Sequence, residues 1–423
     1  MAERETGSIV SVSRKIEREL LFYDAVLLVA GSTMFTLTSL PRWDYTLWAG
    51  AGILIAMWFL IHLSLPAEHD PYLFPIANCL AVIGLLFLYG INPAVAYRHW
   101  QWIVVGLSVA SLMIGLVQYR RIWFNLKWVW AALSIFLLVV TLVWGIKSGG
   151  ATSWLRLGVV RFQPSELAKV FMVLFTASYF TGRQNQRGLL PLWATWGVFL
   201  ALLAAQKDLG MALVFFGGFV TMNYIATQRL RVVAASFIVL ALGVLIAYHT
   251  FDHFRLRVLS WLNLWDYATS LGYQVVQGLI AMASGGMLGV GLGLGTPQVI
   301  PAVTTDYLFA AVGEEWGLFG AVGVIILYAL LVWRGYRVSL RGAGDAEVLC
   351  SCGLTSLLGF QVLIVLAGVC SLLPLTGLPL PFLSYGGTSM VVSYTILGLI
   401  VGLSSIGDSY AYGASMVGVG GEH

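Results

Sequence analysis

The chain has 423 residues, of which 59% are hydrophobic and 10% charged. Soluble domains hold roughly a quarter charged residues, so the composition excludes one and predicts an all-α polytopic membrane protein. The net charge of +4 is no nucleic-acid footprint but a matter of which loops hold the bases, so membrane lipid is an expected partner and nucleic acid is not.

Residues 1–20, MAERETGSIVSVSRKIEREL, are charged and amphipathic and lead into a full-length apolar run with no small-residue cleavage site. They predict a cytoplasmic segment ahead of a retained helix, not a signal peptide. Apolar runs between breakers then predict twelve spans, near 21–39, 46–64, 73–91, 102–118, 128–146 and 165–181, then 190–205, 209–226, 231–249, 308–333, 347–371 and 388–408. In this reading 21–408 is one membrane domain and 409–423 a cytoplasmic tail. One outward connection, about 250–306, is far longer than an ordinary loop. Its Trp261, Trp265, Tyr267 and Tyr273 argue for order. Its segment GYQVVQGLIAMASGGML could lie as a helix at the membrane surface, and it closes on the glycine-rich GVGLGLGTP. Cys79, Cys350, Cys352 and Cys370 have spacings that suit neither zinc nor a disulfide framework and read as inert thiols. No internal repeat of the secondary-transporter kind is visible.

With the N-terminus inside, fourteen of the 23 Lys and Arg fall in inner loops, eight in outer loops, and Lys169 in a span. The bias obeys the positive-inside rule. Lys147, Arg156 and Arg161 crowd one short outer loop, and Arg255 and Arg257 lie in another. Bases kept outside against the rule suggest that an anionic substrate is held there.

Four patches then fall on the outer face. In GGATSWLRLGVVRFQPSELAK, Pro164 and Ser165 look like a helix start, and Glu166 and Lys169 share one helix face. They read either as a local ion pair or as anchors of a cavity. In QKDLGMALVFF, Asp208 reads as a helix cap or a site residue. In PAVTTDYLFAAVGEEWG, Asp306 stands at the threshold of a span, where a carboxylate is a functional-site hypothesis by default. Glu314 and Glu315 follow it on a helix, pointing about 100° apart, one expected towards a cavity and one towards a neighbouring helix. In LPLTGLPLPFLSYGGTSM, prolines break the helix and SYGG, with Ser384 and Gly386, offers backbone amides at the membrane surface. The glycine run before Asp306 lacks GK[ST] and a preceding strand, so it is no phosphate-binding P-loop but a candidate tight re-entrant turn.

Together these patches resemble the SEDS family (shape, elongation, division and sporulation). The resemblance rests on FQPSELAK, on Gln206–Gly210 of QKDLG, on the run from GYQ through GLGLG to TDYLFAAVGEEWG, and on LPLTGLPLPFLSYGG, in order over about residues 140–410. It implies a peptidoglycan glycosyltransferase that polymerises lipid II, an undecaprenyl-diphosphate-linked disaccharide peptide, into β-linked glycan at the outer face of the bacterial plasma membrane. It also implies a class B penicillin-binding protein as transpeptidase partner. Residue by residue, Asp306 matches the family's essential outer-loop aspartate, Glu166 and Lys169 the polar pair of PSELAK, and Asp208 the aspartate of the family's QPDLG. Three departures stand out. Ser153 replaces the arginine common before Trp154, leaving Arg156 or Arg161 to supply that charge. Lys207 and Met211 stand where the family has proline and threonine. Twelve spans exceed the usual ten, the extra pair preceding the first motif. The IPAVTTDYLF form leans towards the rod-elongation branch, with division and sporulation left open.

Sugar transfer from a lipid diphosphate needs a base for the acceptor hydroxyl and a counter-charge for the leaving group. Asp306 is the candidate base, with a nucleophilic role as the alternative. Arg156, Arg161, Lys169 or Lys207 could neutralise the diphosphate, or a divalent cation could; no other cofactor is expected. Glu315 ranks second to Asp306. A lipid II flippase is the competing reading, and the gathering of charges at the outer ends of the later spans favours the enzyme.

Overall fold

The computed structural model of the protein describes residues 2–38, 45–65, 69–148, 150–158, 160–181 and 188–418. Arg42, Arg183, Arg187 and the side chain of Arg4, which enter the loop-charge count, lie outside the described residues, as do 419–423 of the predicted tail.

Every predicted span falls on a helix. In chain order these are α1 (Ala2–Thr38), α2 (Tyr45–Ser64), α3 (Leu73–Ile91), α4 (Pro93–Leu116), then, past the short α5 (Arg120–Asn125), α6 (Lys127–Trp144) and α7 (Pro164–Phe180). There follow α8 (Leu190–Ala205), α9 (Leu209–Thr227) and α10 (Leu230–Thr250), the short α11 (Asp252–Leu262) and α12 (Tyr273–Gly285), and finally α13 (Leu308–Ser339), α14 (Asp345–Val369) and α15 (Gly387–Gly418). Among the described residues nine helices are long and apolar enough to cross a membrane. Trp48–Leu63 and Leu190–Ala205 are apolar but shorter, and α7 places Glu166 and Lys169 in its first turns. The protein is a multi-pass membrane protein, with α1 starting well before the predicted boundary.

Helix ends follow local chemistry. Pro93 and Pro164 open α4 and α7, where a missing N–H costs nothing. The Asn92 side chain accepts from Ala94 and Val95, and Asp208 caps α9 by accepting from Met211 N–H at 3.2 Å. α3, α14 and α15 form the buried centre, whereas α10 leaves most of its surface outside the bundle. Small residues let α4 and α15 approach: Gly106 faces the Tyr394 ring and Gly398 faces the Ala110 backbone.

The stretch after α6 is not bare loop. β1 (Ile146–Ser148), β2 (Ala151–Leu157) and β3 (Val160–Phe162) make a three-stranded antiparallel sheet in the order β1-β2-β3, with Lys147 opposite Thr152 and Arg156 opposite Arg161. The turns use Gly150 and Gly158 at φ 88 and 63. A helix-bundle expectation thus gains a small sheet on one end, signalled by the alternation of ATSWLRL between glycines.

The long connection is ordered, and α12 occupies the predicted apolar segment. It does more than lie on a surface: it packs against the first half of α13, with Gly278 on the Tyr307 ring and Gly285 under the Gly313 carbonyl. α13 itself breaks at Gly317 (φ 65, ψ −165). The glycine-rich loop fills the break as a short ladder. Val290 and Gly291 donate to the carbonyls of Glu314 and Glu315 at 3.0 and 2.9 Å, while Leu318 and Phe319 donate to Gly286 and Met287 at 2.9 and 3.2 Å. Backbone freed inside a bilayer has to be satisfied by protein in this way.

Gly289 lies at φ 81, and a Cβ there would overlap the Glu315 carbonyl, whereas Gly243 in α10 has open space around it. Gly289→Ala should therefore cut folded yield and lower the melting temperature. Gly243→Ala should be neutral or gain on the order of 0.5–1 kcal/mol. Melting curves of the two detergent-purified variants decide this, and equal curves would remove the loop from the supports of the fold.

Candidate active site at one end of the bundle

Four connections lie at one end of the bundle: the sheet, the turn between α8 and α9, the α10–α13 connection, and residues 370–386 between α14 and α15. Direct bonds join them. Thr152 N–H donates to Gln206 O at 2.9 Å, and Tyr385 N–H to Thr304 O at 2.9 Å. Gln163 N–H donates to Thr388 Oγ1 at 3.2 Å. Arg257 Nη1 and Trp261 Nε1 donate to the carbonyls of Leu375 and Ser371 at 3.0 and 2.8 Å. Gly210 lies so close to Thr376 that a Cβ would stand 2.8 Å from its side chain. The four sequence patches therefore meet.

Asp306 sits at this junction, one residue before the N-cap of α13, its N–H bonded to Ala302 O at 3.1 Å. Its carboxylate lies against Gly377, where a Cβ would be 3.5 Å from Oδ2. Gly377 has φ 71, so the turn needs glycine there, and the missing side chain leaves room beside the acid. Some of the Asp306 surface stays accessible while protein packs most of the volume around it, and this burial raises its pKa. A hydrogen bond from Thr305 and the charge of Arg257 oppose the rise. Arg257 feels Asp306 and Asp208 in turn; burial lowers its pKa and both carboxylates raise it. One half-buried guanidinium thus links two of the predicted acids.

Asp208 caps α9 and is held by donors from three segments. Oδ1 accepts from Met211 N–H, Oδ2 from Gln163 Nε2 at 3.4 Å, and Ser153 also donates to it. Burial raises its pKa against these bonds. Ser153, at the place of the expected arginine, is therefore a hydrogen-bond donor to this aspartate.

Glu166 and Lys169 are fully buried and paired at 2.6 Å. Lys169 Nζ also donates to Gln361 Oε1 at 2.8 Å, and Gln361 Nε2 to Pro379 O at 3.0 Å. The pair is therefore chained through α14 to the loop that holds Gly377. Lys207 is exposed with φ 61, a backbone that proline cannot adopt, so this turn differs from the QPDLG form. Arg156 and Arg161 face each other across the β2–β3 hairpin and are exposed. Ser384 N–H donates to Leu380 O at 3.1 Å, and its Oγ is buried with no hydrogen-bond partner among the described residues. Gly386 packs on the Pro379 ring. Glu315 Oε2 accepts from Gly293 N–H at 2.9 Å and Glu314 Oε1 from Thr296 N–H at 2.9 Å, so both acids hold the glycine-rich loop instead of pointing apart.

Residues 73–407 match the family described as cell cycle protein, FtsW/RodA/SpoVE. The chain belongs to this family. It is similar to the peptidoglycan glycosyltransferase RodA of Mycobacterium tuberculosis, at 32% identity over 364 residues, covering 79% of this chain and 78% of that one. Among solved structures it resembles a chain from work on structural coordination of polymerization and crosslinking by a peptidoglycan synthase complex (TM-score 0.70, 30% identity, 80% of this chain and 98% of the other). It also resembles the rod shape determining protein RodA of Thermus thermophilus (TM-score 0.62, 28% identity, 80% and 97%). The family match begins at the first residue of α3, so α1 and α2 lie ahead of it.

Arg257, Gln361 and Gly377 were absent from the sequence-derived site. Arg257 had a signal, as a base on the outer face against the charge rule. Gln361 had none beyond being an amide in an apolar run.

Removing one partner of a buried pair leaves an unpaired charge, at a cost of about 3–5 kcal/mol. Exchanging the partners, Glu166→Lys with Lys169→Glu, should not restore stability or activity. The new carboxylate would face Gln361 Oε1, and Gln361 cannot turn because its other end holds Pro379 O. Melting and activity of the double variant test this, and full rescue would reduce the pair to a local ion pair.

The raised pKa of Asp306 carries a sign for stability. A carboxylate whose folded-state pKa lies above its unfolded one contributes stability below the unfolded value and loses it as pH rises through the folded one. Asp306→Asn should therefore melt at or above the wild type at neutral pH, and the difference should shrink as the pH falls below the ordinary carboxylate range. A lower melting temperature at neutral pH would mean that the ionised acid stabilises the fold.

Proposed function

We propose that the protein is a peptidoglycan glycosyltransferase that polymerises lipid II into β-1,4 glycan strands, with Asp306 as general base. The observation that carries this reading is the Asp306 carboxylate beside Gly377, facing the charge of Arg257 where four motifs meet. Family membership and the activity of the named relatives support the reaction class. The positive-inside bias supports an outer-face position for this end of the bundle, with both termini cytoplasmic.

The acceptor hydroxyl gives its proton to Asp306 Oδ as its oxygen attacks the anomeric carbon of the lipid-linked sugar. The bond from that carbon to the diphosphate breaks, and its electron pair leaves with the diphosphate. A single displacement inverts the anomeric centre, which suits a β product from an α-linked diphosphate. Burial makes Asp306 a stronger base once ionised, at the expense of a smaller ionised fraction in acid. Arg257 is the base whose charge acts on Asp306, and its guanidinium suits diphosphate oxygens. The exposed Arg156 and Arg161 are suited to drawing the anion in. An apolar cavity of about 480 Å³ between α4, α6, α7 and α15, lined by Trp102, Trp130, Phe162, Phe171, Val391 and Leu399, fits part of a polyprenyl tail. Its Phe162 and Thr388 border the Gln163–Thr388 bond, so a tail seated there leads towards the polar end. The similarity to a chain of a peptidoglycan synthase complex supports a class B penicillin-binding protein as partner.

Asp306→Asn should insert and fold but lose lipid II polymerisation by more than a hundredfold, the usual scale for a general base. Arg257→Ala should lose about tenfold to a hundredfold, more than Arg156→Ala or Arg161→Ala. For the wild type, the rate should rise with pH along an acid limb displaced above the ordinary carboxylate range. Glycan yield from purified protein and lipid II measures all of these. Asp306→Asn within tenfold of wild type would sink the assignment.

A further inference from the structure

We propose that Phe35, on the helix that precedes the family-matched region, is a positioning residue for the glycosyltransferase reaction: it seats the glycine-rich loop that leads to Asp306. The proposal rests on the reading of Asp306 as the reacting group.

α1 is fixed to the rest of the bundle at three depths. Before its midpoint, Glu17 Oε2 lies 2.5 Å from His62 Nδ1 and 3.0 Å from His69 Nε2, and Arg14 Nη2 donates to Leu65 O at 2.6 Å. Past its midpoint, Asp24 is hydrogen-bonded to Cys79 of α3. Gly31 there meets Leu86 so closely that a Cβ would stand 2.5 Å from Cδ1. At its far end the buried Phe35 ring makes an edge contact with Tyr89 at 5.3 Å and covers Gly90 and Gly293. A Cβ on Gly293 would be 2.9 Å from Phe35 Cε1.

Gly293 is not an arbitrary neighbour. Its N–H is the donor that Glu315 binds, two residues before the break in α13, and it has φ 73. Three residues on, Thr296 is held by Glu314. From there the chain runs through a single 3-10 turn, Pro297–Val299, to Asp306 and back into α13. The loop is thus an arch with both feet on the first half of α13, and Phe35 closes the side of one foot that Glu315 does not. Glu315 supplies a directional bond; the ring supplies the volume that stops Gly293 from swinging away from it. Helix α13 is tied to the same N-terminal region at its other end, where Arg334 pairs with Asp70 and lies over the Tyr72 ring at 4.3 Å.

Truncating Phe35 opens space beside a glycine-rich loop and should loosen 286–300 without unmaking the helix packing below it. Small displacements of a reacting group are costly to rate. Leu28, buried on the same helix two turns below, is the control for general destabilisation. In the purified full-length protein, Phe35→Ala should lower kcat for glycan polymerisation by about tenfold with little change in KM, and speed amide hydrogen exchange over 286–300. Leu28→Ala, destabilised as much or more, should keep kcat within about twofold and leave that exchange unchanged. Phe35→Met, flexible and of similar reach, should restore most of the rate. If Phe35→Ala and Leu28→Ala lose activity in step with their melting temperatures, or if exchange over 286–300 does not change, Phe35 is only a packing residue and the proposal fails. The exchange readout does not depend on what Asp306 does, so a failure of the general-base assignment would show separately, in an active Asp306→Asn enzyme.

Discussion

A helix broken inside a membrane leaves N–H and C=O groups that water cannot reach, and the rest of this structure follows from how those groups are satisfied. The break at Gly317 in α13 is filled by residues 286–291, whose amides and carbonyls pair with both sides of the gap. Close approach accounts for Gly285 and Gly289, where a Cβ would meet the Gly313 and Glu315 carbonyls, and left-handed backbone for Gly286 and Gly291, at φ 54 and 109. Once the loop is pinned there, its exit is fixed as well. It has to return to the head of α13, and Asp306 is the residue at that return. The broken helix and the position of the acid are one arrangement.

The same economy governs the other charges. Glu314 and Glu315 sit where a bilayer would normally exclude carboxylates, and each gains a backbone N–H of the loop. Lys169 could not be buried without Glu166, and the pair gains direction from Gln361. In both cases polar groups hold irregular backbone in place: the glycine loop in one, the LPLPF segment through Pro379 in the other. Tyr328 of α13 adds a third hold, donating to Pro381 O at 2.7 Å. The glycine loop leads along the chain to Asp306 and the LPLPF segment follows Gly377 beside it, so the acid is held although it lies on connections and not on a helix.

Hydropathy made the twelve helices legible, because a bilayer forces long apolar runs and little else yields them. The meeting of the four motifs was legible for a related reason: connections on one side of a bundle have only one surface on which to gather. Finer features escaped. The sheet at 146–162 is three short strands whose period-two signal, in ATSWLRL, is drowned by apolar neighbours. The break at Gly317 looks like any helix glycine, because the loop that pairs with it, residues 286–291, lies beyond the reach of local pattern, and Glu314 and Glu315 turn to that loop and not to separate faces. Gln361 carried no mark because its role comes wholly from what α7 and the 379–381 segment bring to it. Local pattern identifies elements; partners distant in sequence assign their side chains.

The two acid–base pairs at this end of the bundle differ in a way that separates support from chemistry. Glu166 and Lys169 are fully buried, in close contact, and tied to a third residue. A substrate could use either charge only by leaving its partner uncompensated in a low-dielectric interior, which is the most expensive exchange available. Asp306 and Arg257 sense each other's charge, yet Asp306 keeps accessible surface and lies beside the bare Gly377. A hydroxyl can approach such an acid, and an arriving diphosphate can take up part of the Arg257 charge without stranding a carboxylate, since Asp306 needs less compensation once it has accepted a proton. Under the proposed function, the loosely coupled pair is the one fit to react, and the tight pair supports the 379–381 segment beside it.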